Sequence, residues 1–152
     1  MLALDCEFDG HDGPLISMAI VGPNGDEFYE VLPYWSMTKD TWVQANVLPV
    51  LNKQPIESWE LFREKLWAFL AKYTGYIVIA DSPADFKYLM ENCHYMNNGR
   101  YAYINLWIKM QFVIAGKYES RIPHNALEDA RALRKWLCEQ PSTPFLNTRV
   151  DG

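Results

Sequence analysis

Apolar and polar residues alternate along the chain from its second position. In "LALDCEF" (2–8), Leu2, Leu4, Cys6 and Phe8 fall on one side of an extended segment, and Ala3, Asp5 and Glu7 on the other. "HDGP" then turns the chain. "LISMAIV" (15–21) and "EFYEVLP" (27–33) flank "GPNGD", whose Asn24-Gly25 is a strong hairpin signal. These segments predict an antiparallel meander of three strands. Residues 34–55 are polar and punctuated by proline, a long connection with one short helix near 40–48. "IESWELFREKLWAFLAKY" (56–73) sets Trp59, Phe62, Leu66, Phe69, Leu70 and Tyr73 at helical spacing, an amphipathic helix that Gly75 ends. "YIVIA" (76–80) is short and apolar enough for a buried strand. "SPADFKYLMENC" (82–93) predicts a helix with Ser82 as cap and Pro83 in its first turn. "RYAYINL" (100–106) is expected to be a fifth strand and 107–116 a helix. Asn125 caps a last helix over 126–139, and a polar tail (141–152) follows.

A meander followed by strands entered through helices, in the order βββαβαβαα, gives an α/β fold. The expected sheet is mixed and five-stranded, the antiparallel meander plus two parallel strands, flanked by helices. That order matches an RNase H-like architecture. At 152 residues the chain is expected to form a single domain over 1–140.

Composition narrows the partners. With 14 Lys and Arg against 19 Asp and Glu, the net charge is −5, and no basic run stands out. Gripping a long duplex through its backbone charge is therefore not expected. Action on a nucleic acid would need divalent cations and a local groove. Cys6, Cys93 and Cys138 are widely spaced and fit neither a disulfide frame nor a zinc knuckle. Free thiols, no basic-then-apolar leader and no membrane-length apolar run lead to an expected cytoplasmic location.

Two acids in one strand need a reason. Asp5 and Glu7 lie next-but-one on a single face, their Cα atoms roughly 7 Å apart. An edge strand with one face in water would explain them, and so would a metal site. On the last helix the apolar stripe is Ala126, Ala130, Leu133 and Leu137, and Asp129 faces with it. A carboxylate aimed at a core is costly unless it is paired or coordinates a metal. Asp85 stands at the border of the stripe Phe86, Leu89, Met90 and Cys93. Ser82-x-x-Asp85 also resembles a capping box, so a capping role and a site role for Asp85 stand side by side. Asn125-x-x-Glu128 forms such a box too, which leaves Asp129 unexplained by capping. His124 lies one residue ahead of that cap. A histidine there is commonly structural, but beside an inward-facing acid a neutral imidazole suits general-base work.

Together Asp5-x-Glu7 on the first strand, Asp85 opening a helix after the fourth, and "HNALEDA" spanning His124 and Asp129 resemble the DEDDh 3′→5′ exonucleases, which include RNase T and the polymerase III proofreading subunits. The motifs cover residues 5 to 129 in the family's order. "TWVQANVLPVL" (41–51) is similar to the corresponding segment of a compact bacterial exoribonuclease group within that superfamily. One departure is the second motif, which usually carries a His or Gly with Asn ahead of its acid. Here it reads "IADSPADFKYL", so Asp81 and Asp85 both qualify; Asp85-x-x-x-Leu89 keeps the family spacing, and Asp85 is chosen.

The resemblance implies two divalent cations, Mg²⁺ or Mn²⁺, held by Asp5, Glu7, Asp85 and Asp129, with Asp5 shared and His124 as general base. It implies release of nucleoside 5′-monophosphates from RNA 3′ ends. The expected partner is single-stranded RNA or a short oligonucleotide. A proofreading-type DNA exonuclease and a non-catalytic nucleic-acid-binding module are the alternatives. Phe8 is read equally as a base-stacking residue and as ordinary core. Asp9 and Asp12 lie near the site without an assigned role. Members are often homodimers, and the aromatic residues of 34–67 could serve an interface or a core equally well.

Overall fold

Residues 1–33, 37–97, 100–103, 109–113 and 118–140 are described by the computed structural model. The chain opens with β1 (Leu2–Phe8), β2 (Leu15–Val21) and β3 (Glu27–Val31), paired antiparallel as the alternation predicts. Between β2 and β3, Asn24 (φ 60°) and Gly25 (φ 75°) are both left-handed, the conformation that the Asn-Gly pair tolerates best. The long connection holds α1 (Thr41–Asn46), within the span expected for a short helix. Then come α2 (Trp59–Ala71), β4 (Ile77–Ala80), α3 (Pro83–Asn92), β5 (His94–Asn97), β6 (Arg100–Tyr103), β7 (Lys109–Phe112) and α4 (Ala126–Glu139).

The main sheet has five strands in the order β3-β2-β1-β4-β7, with β1, β4 and β7 mutually parallel. Its fifth strand differs from expectation. Residues 109–112, expected to be helical, form β7, whereas 100–103 pair with 94–97 in a separate two-stranded ribbon. The reason is physical: Lys109-Met110-Gln111-Phe112 alternates polar and apolar for only four residues, too few for a period to separate a largely exposed strand from a helix. The β5–β6 pairing brackets Asn98-Gly99, the same dipeptide signal as Asn24-Gly25. The remaining residues of the expected strand (104–106) and helix (107–108 and 114–116), and the tail over 141–152, lie outside the described residues.

Helices cover both faces of the sheet. Leu2, Leu4 and Cys6 pack with Phe62, Leu66, Leu70, Tyr88 and Leu89 from α2 and α3. On the opposite face Ala3 and Ile79 meet Leu133 and Leu137 of α4, while Ala19 and Val21 meet Ala126 and Ala130. β1 is therefore central and covered twice, which rules out an edge strand with Asp5 and Glu7 in water. No helix among the described residues is long and apolar enough to cross a membrane.

The caps fix where the helices begin. Ser58 and Ser82 accept from backbone N–H groups in the first turns of α2 and α3. Asn125, buried, accepts from the Glu128 N–H at 3.1 Å and donates to the Val50 carbonyl at 2.6 Å, so one side chain starts α4 and ties it to the turn after α1. The reciprocal half of the capping box is missing: the Glu128 carboxylate accepts from Arg131 at 2.6 Å instead. Replacing Asn125 with Ala should cost about 1–3 kcal/mol, since it removes a cap and strands the part-buried Val50 carbonyl. Asn125→Ser, which keeps the cap, should lose less; urea denaturation of the two variants measures the difference.

Candidate metal centre

The C-terminal ends of the central parallel strands are where an open α/β sheet leaves room for ligands. β1 ends there with Asp5 and Glu7. Leu2 and Ala3 pair with Val78 and Ile79, so two residues further on Asp5 and Asp81 stand at matching positions as β4 leaves the sheet. Asp85 enters from the first turn of α3. From the other face α4 contributes Asp129 in its first turn and His124 just ahead of its cap. Ala19 and Ser17, opposite Asp5 and Glu7 on β2, are small. Ala126 and Ala130 pack against Ala19 and Val21, so α4 approaches closely.

Two sets of three carboxylates result. One oxygen from each of Asp5, Glu7 and Asp129 lies within 4.8 Å of the others, and the same holds for Asp5, Asp81 and Asp85. Asp5 belongs to both sets. Either set could hold a metal ion, the donors being the hard oxygens that Mg²⁺ and Mn²⁺ prefer. The contrast with Glu30 is informative. That buried acid is answered by Lys53 and Lys65, each 2.9 Å away. No lysine or arginine among the described residues forms an ion pair with the acids of the cluster.

Their protonation reflects that imbalance. Burial first, then the neighbouring carboxylates, hold Asp5 well above the usual carboxylate range. Burial and Asp129 push Glu7 to about 8. Burial, Asp81 and Glu7 push Asp85 to about 8, against the opposing pull of the Cys6 and Ser82 backbone N–H groups that donate to it. Burial likewise raises Asp129. Asp85 thus caps its helix and faces the cluster at once. It is 1% exposed, and its Oδ2 has no partner, as is also true of Asp5 Oδ2. Two orphaned carboxylate oxygens in one buried cluster fit a cation.

His124 is held from two sides. Its N–H donates to Asp129 Oδ2 at 2.9 Å, and its φ of 66° is left-handed, uncommon for a residue with a side chain. The ring meets Trp42 edge-on, the centroids 4.8 Å apart. Trp42 sits on α1, whose N-cap Asp40 is anchored because the backbone N–H groups of Lys39 and Asp40 donate to Asp9 at 2.8 and 2.9 Å. Asp9 thereby has a structural role, and Asp12 pairs with Lys87 at 3.1 Å.

Phe8 follows a register shift between Glu7 and Phe8 in the β1–β2 ladder. Such irregularities re-aim a side chain. The Phe8 ring stacks on Tyr88 (4.9 Å) at the edge of the core and also lines the cavity over the acids, so both of its readings hold in part. That cavity, about 570 Å³, has Asp5, Glu7, Asp85, His124 and Asp129 on its polar side and Phe8, Trp42, Val43 and Val47 on its apolar side. A second cavity of about 520 Å³ reaches Asp5, His124 and Asp129 from the side of Asp81 and Tyr118.

All five acid and histidine positions chosen from the sequence therefore converge. Asp81, set aside there in favour of Asp85, converges with them. Trp42 and Tyr118 were not singled out, although Trp42 lies in the segment "TWVQANVLPVL" already set beside the exoribonuclease group. No protein-family model matches the chain, and no curated protein matches its sequence.

Because the folded values of Glu7 and Asp85 lie above those of the unfolded chain, the native cluster binds more protons than the unfolded state does. The contribution of these groups to stability is fully present below the ordinary carboxylate range and is lost as pH rises through about 8. In metal-free protein, thermal unfolding should therefore show this loss with rising pH. Asp85→Asn should flatten it, Mn²⁺ added at the alkaline end should restore Tm, and Mn²⁺ bound below about pH 8, where these acids still carry protons, should release them.

Proposed function

We propose that this chain is a two-metal 3′→5′ exoribonuclease on an RNase H-like fold, hydrolysing the terminal phosphodiester of single-stranded RNA to release a nucleoside 5′-monophosphate. The observation that carries the reading is Asp5, shared between two carboxylate sets at the end of the central strand, with a histidine beside them at the mouth. Asp5, Glu7 and Asp129 would hold one cation, and Asp5 with Asp85 the other. Bound there, divalent cations supply charge neutralisation and Lewis-acid stabilisation of the attacking and leaving oxygens.

The chain's own residues divide the remaining work. His124, its ring against Trp42 and its backbone N–H donating to Asp129, would accept the proton of the attacking water. Water adds to phosphorus as the bond to the leaving 3′ oxygen breaks, giving a 5′-monophosphate and a shortened chain with a 3′-hydroxyl. Phe8, Trp42 and Val43 line the same cavity and offer apolar surface against which a terminal base could stack, a contact that tolerates any base. A non-catalytic binding module would have no chemical need for a cluster whose acids are this costly to ionise.

The test uses 5′-labelled RNA and DNA of one sequence, with Mg²⁺, Mn²⁺ or chelator. A ladder shortening from the 3′ end is expected, on RNA more than DNA and absent with chelator. His124→Ala should lower the rate about 10²- to 10⁴-fold, and Asp129→Ala should abolish it. Greater loss of DNA would replace the reading with a proofreading-type DNA exonuclease. Tight binding of RNA without turnover, in folded protein with Mg²⁺, would replace it with a binding module.

A further inference from the structure

We infer that Asp81 is a direct ligand in a second cation subsite built from Asp5, Asp81 and Asp85, that Tyr118 is its positioning residue, and that both subsites fill before any nucleic acid arrives. This rests on the metal centre of the proposed function and adds to it a fifth carboxylate with its support.

Three observations carry it. First, Asp81 leaves β4 at the position matching Asp5 on the neighbouring parallel strand, and oxygens of Asp5, Asp81 and Asp85 lie within 4.8 Å of one another. Around an octahedral Mg²⁺, opposite oxygens are about 4.2 Å apart and adjacent ones about 2.9 Å, so the three carboxylates lie within reach of one ion and would draw together on binding it. Second, Asp85 is 1% exposed with Oδ2 unpartnered, while the Cys6 and Ser82 N–H groups donate to its carboxylate. Asp5 Oδ2 is likewise buried without a partner. The two orphaned oxygens belong to the same three residues.

Third, Asp81 is held in place. The Tyr118 hydroxyl donates to Asp81 Oδ2 at 2.5 Å. Its ring packs on the cluster of Ala3, Ile79, Leu133 and Leu137, which joins both central strands to α4. A phenol that donates to a carboxylate fixes its orientation and leaves its other oxygen free to coordinate, the usual arrangement behind a metal ligand. Each subsite then has three carboxylates from the chain itself, enough for cations to bind without a phosphate to complete the set.

The experiment is calorimetric titration of Mn²⁺ into the full chain without nucleic acid. Two ions are expected for the wild type and one for Asp81→Asn, an isosteric change that relieves repulsion and so preserves the fold, as circular dichroism will verify. Asp85→Asn should also bind one, and Tyr118→Phe two, the second about 10-fold or more weaker. One ion in the wild type, two in Asp81→Asn with unchanged affinities, or an unaltered second affinity in Tyr118→Phe would overturn the inference. The outcome separates from that of the proposed function. RNA hydrolysis by a protein that binds one ion sinks this inference alone, whereas two ions without hydrolysis of RNA or DNA sinks the function and leaves the inference standing.

Discussion

Mutual repulsion among carboxylates gathered around Asp5 is the constraint from which much of the arrangement follows. Burial and neighbouring acids act in the same direction on Asp5, Glu7, Asp85 and Asp129, and no lysine or arginine among the described residues is placed to offset them. Such a cluster persists only where surrounding structure over-determines it. Here β1 is flanked by β2 and β4 and covered on both faces by helices, so the backbone that carries Asp5 and Glu7 is held in place while their half-buried carboxylates line the cavity. The cost is accepted at the centre of the sheet, and a divalent cation is the partner that such a set of hard oxygens matches best.

The cavity wall depends on a chain of smaller restraints. Asp9, just past β1, accepts from the backbone N–H groups of Lys39 and Asp40; Asp40 caps α1; α1 sets Trp42 against His124. A residue adjoining β1 thus determines, through local hydrogen bonds, where the histidine ring rests. Asn125 performs the matching task from behind, joining the start of α4 to the Val50 carbonyl. Together they hold His124 between two elements that share no secondary structure.

Much of this was legible from residue order, and the failures have physical causes. The period-2 face of β1 placed Asp5 and Glu7 together, and the stripe of α4 placed Asp129 beside them, because both periods follow directly from backbone geometry. Family spacing favoured Asp85 over Asp81. Both converge, Asp85 from the first turn of α3 and Asp81 through the register of β4 on β1, which leaves no mark in a single sequence. The fifth strand was misplaced because the alternation of 109–112 lasts only four residues, too few to fix a period, and the β5–β6 ribbon went unseen. The Trp42–His124 contact joins residues 82 positions apart and carries no local signal. Phe8 was open to two readings because the register shift beside it depends on β2 as much as on β1.

The charge of the whole chain takes on a different meaning once the cluster is located. Setting aside Asp5, Glu7, Asp81, Asp85 and Asp129 leaves 14 of the 19 acids, against 14 lysines and arginines, so these five account for the net charge of −5. The rest of the molecule is formally neutral and has no general pull on a phosphate backbone. Under the proposed function, attraction for a nucleic acid would therefore be confined to the cation-loaded cluster and the apolar wall beside it. Such a surface favours a chain end, which can bring one phosphate and one base into a single cavity, over the interior of a duplex, which needs a long basic track. The acidity that at first argues against a nucleic-acid enzyme is then concentrated where its metals would sit.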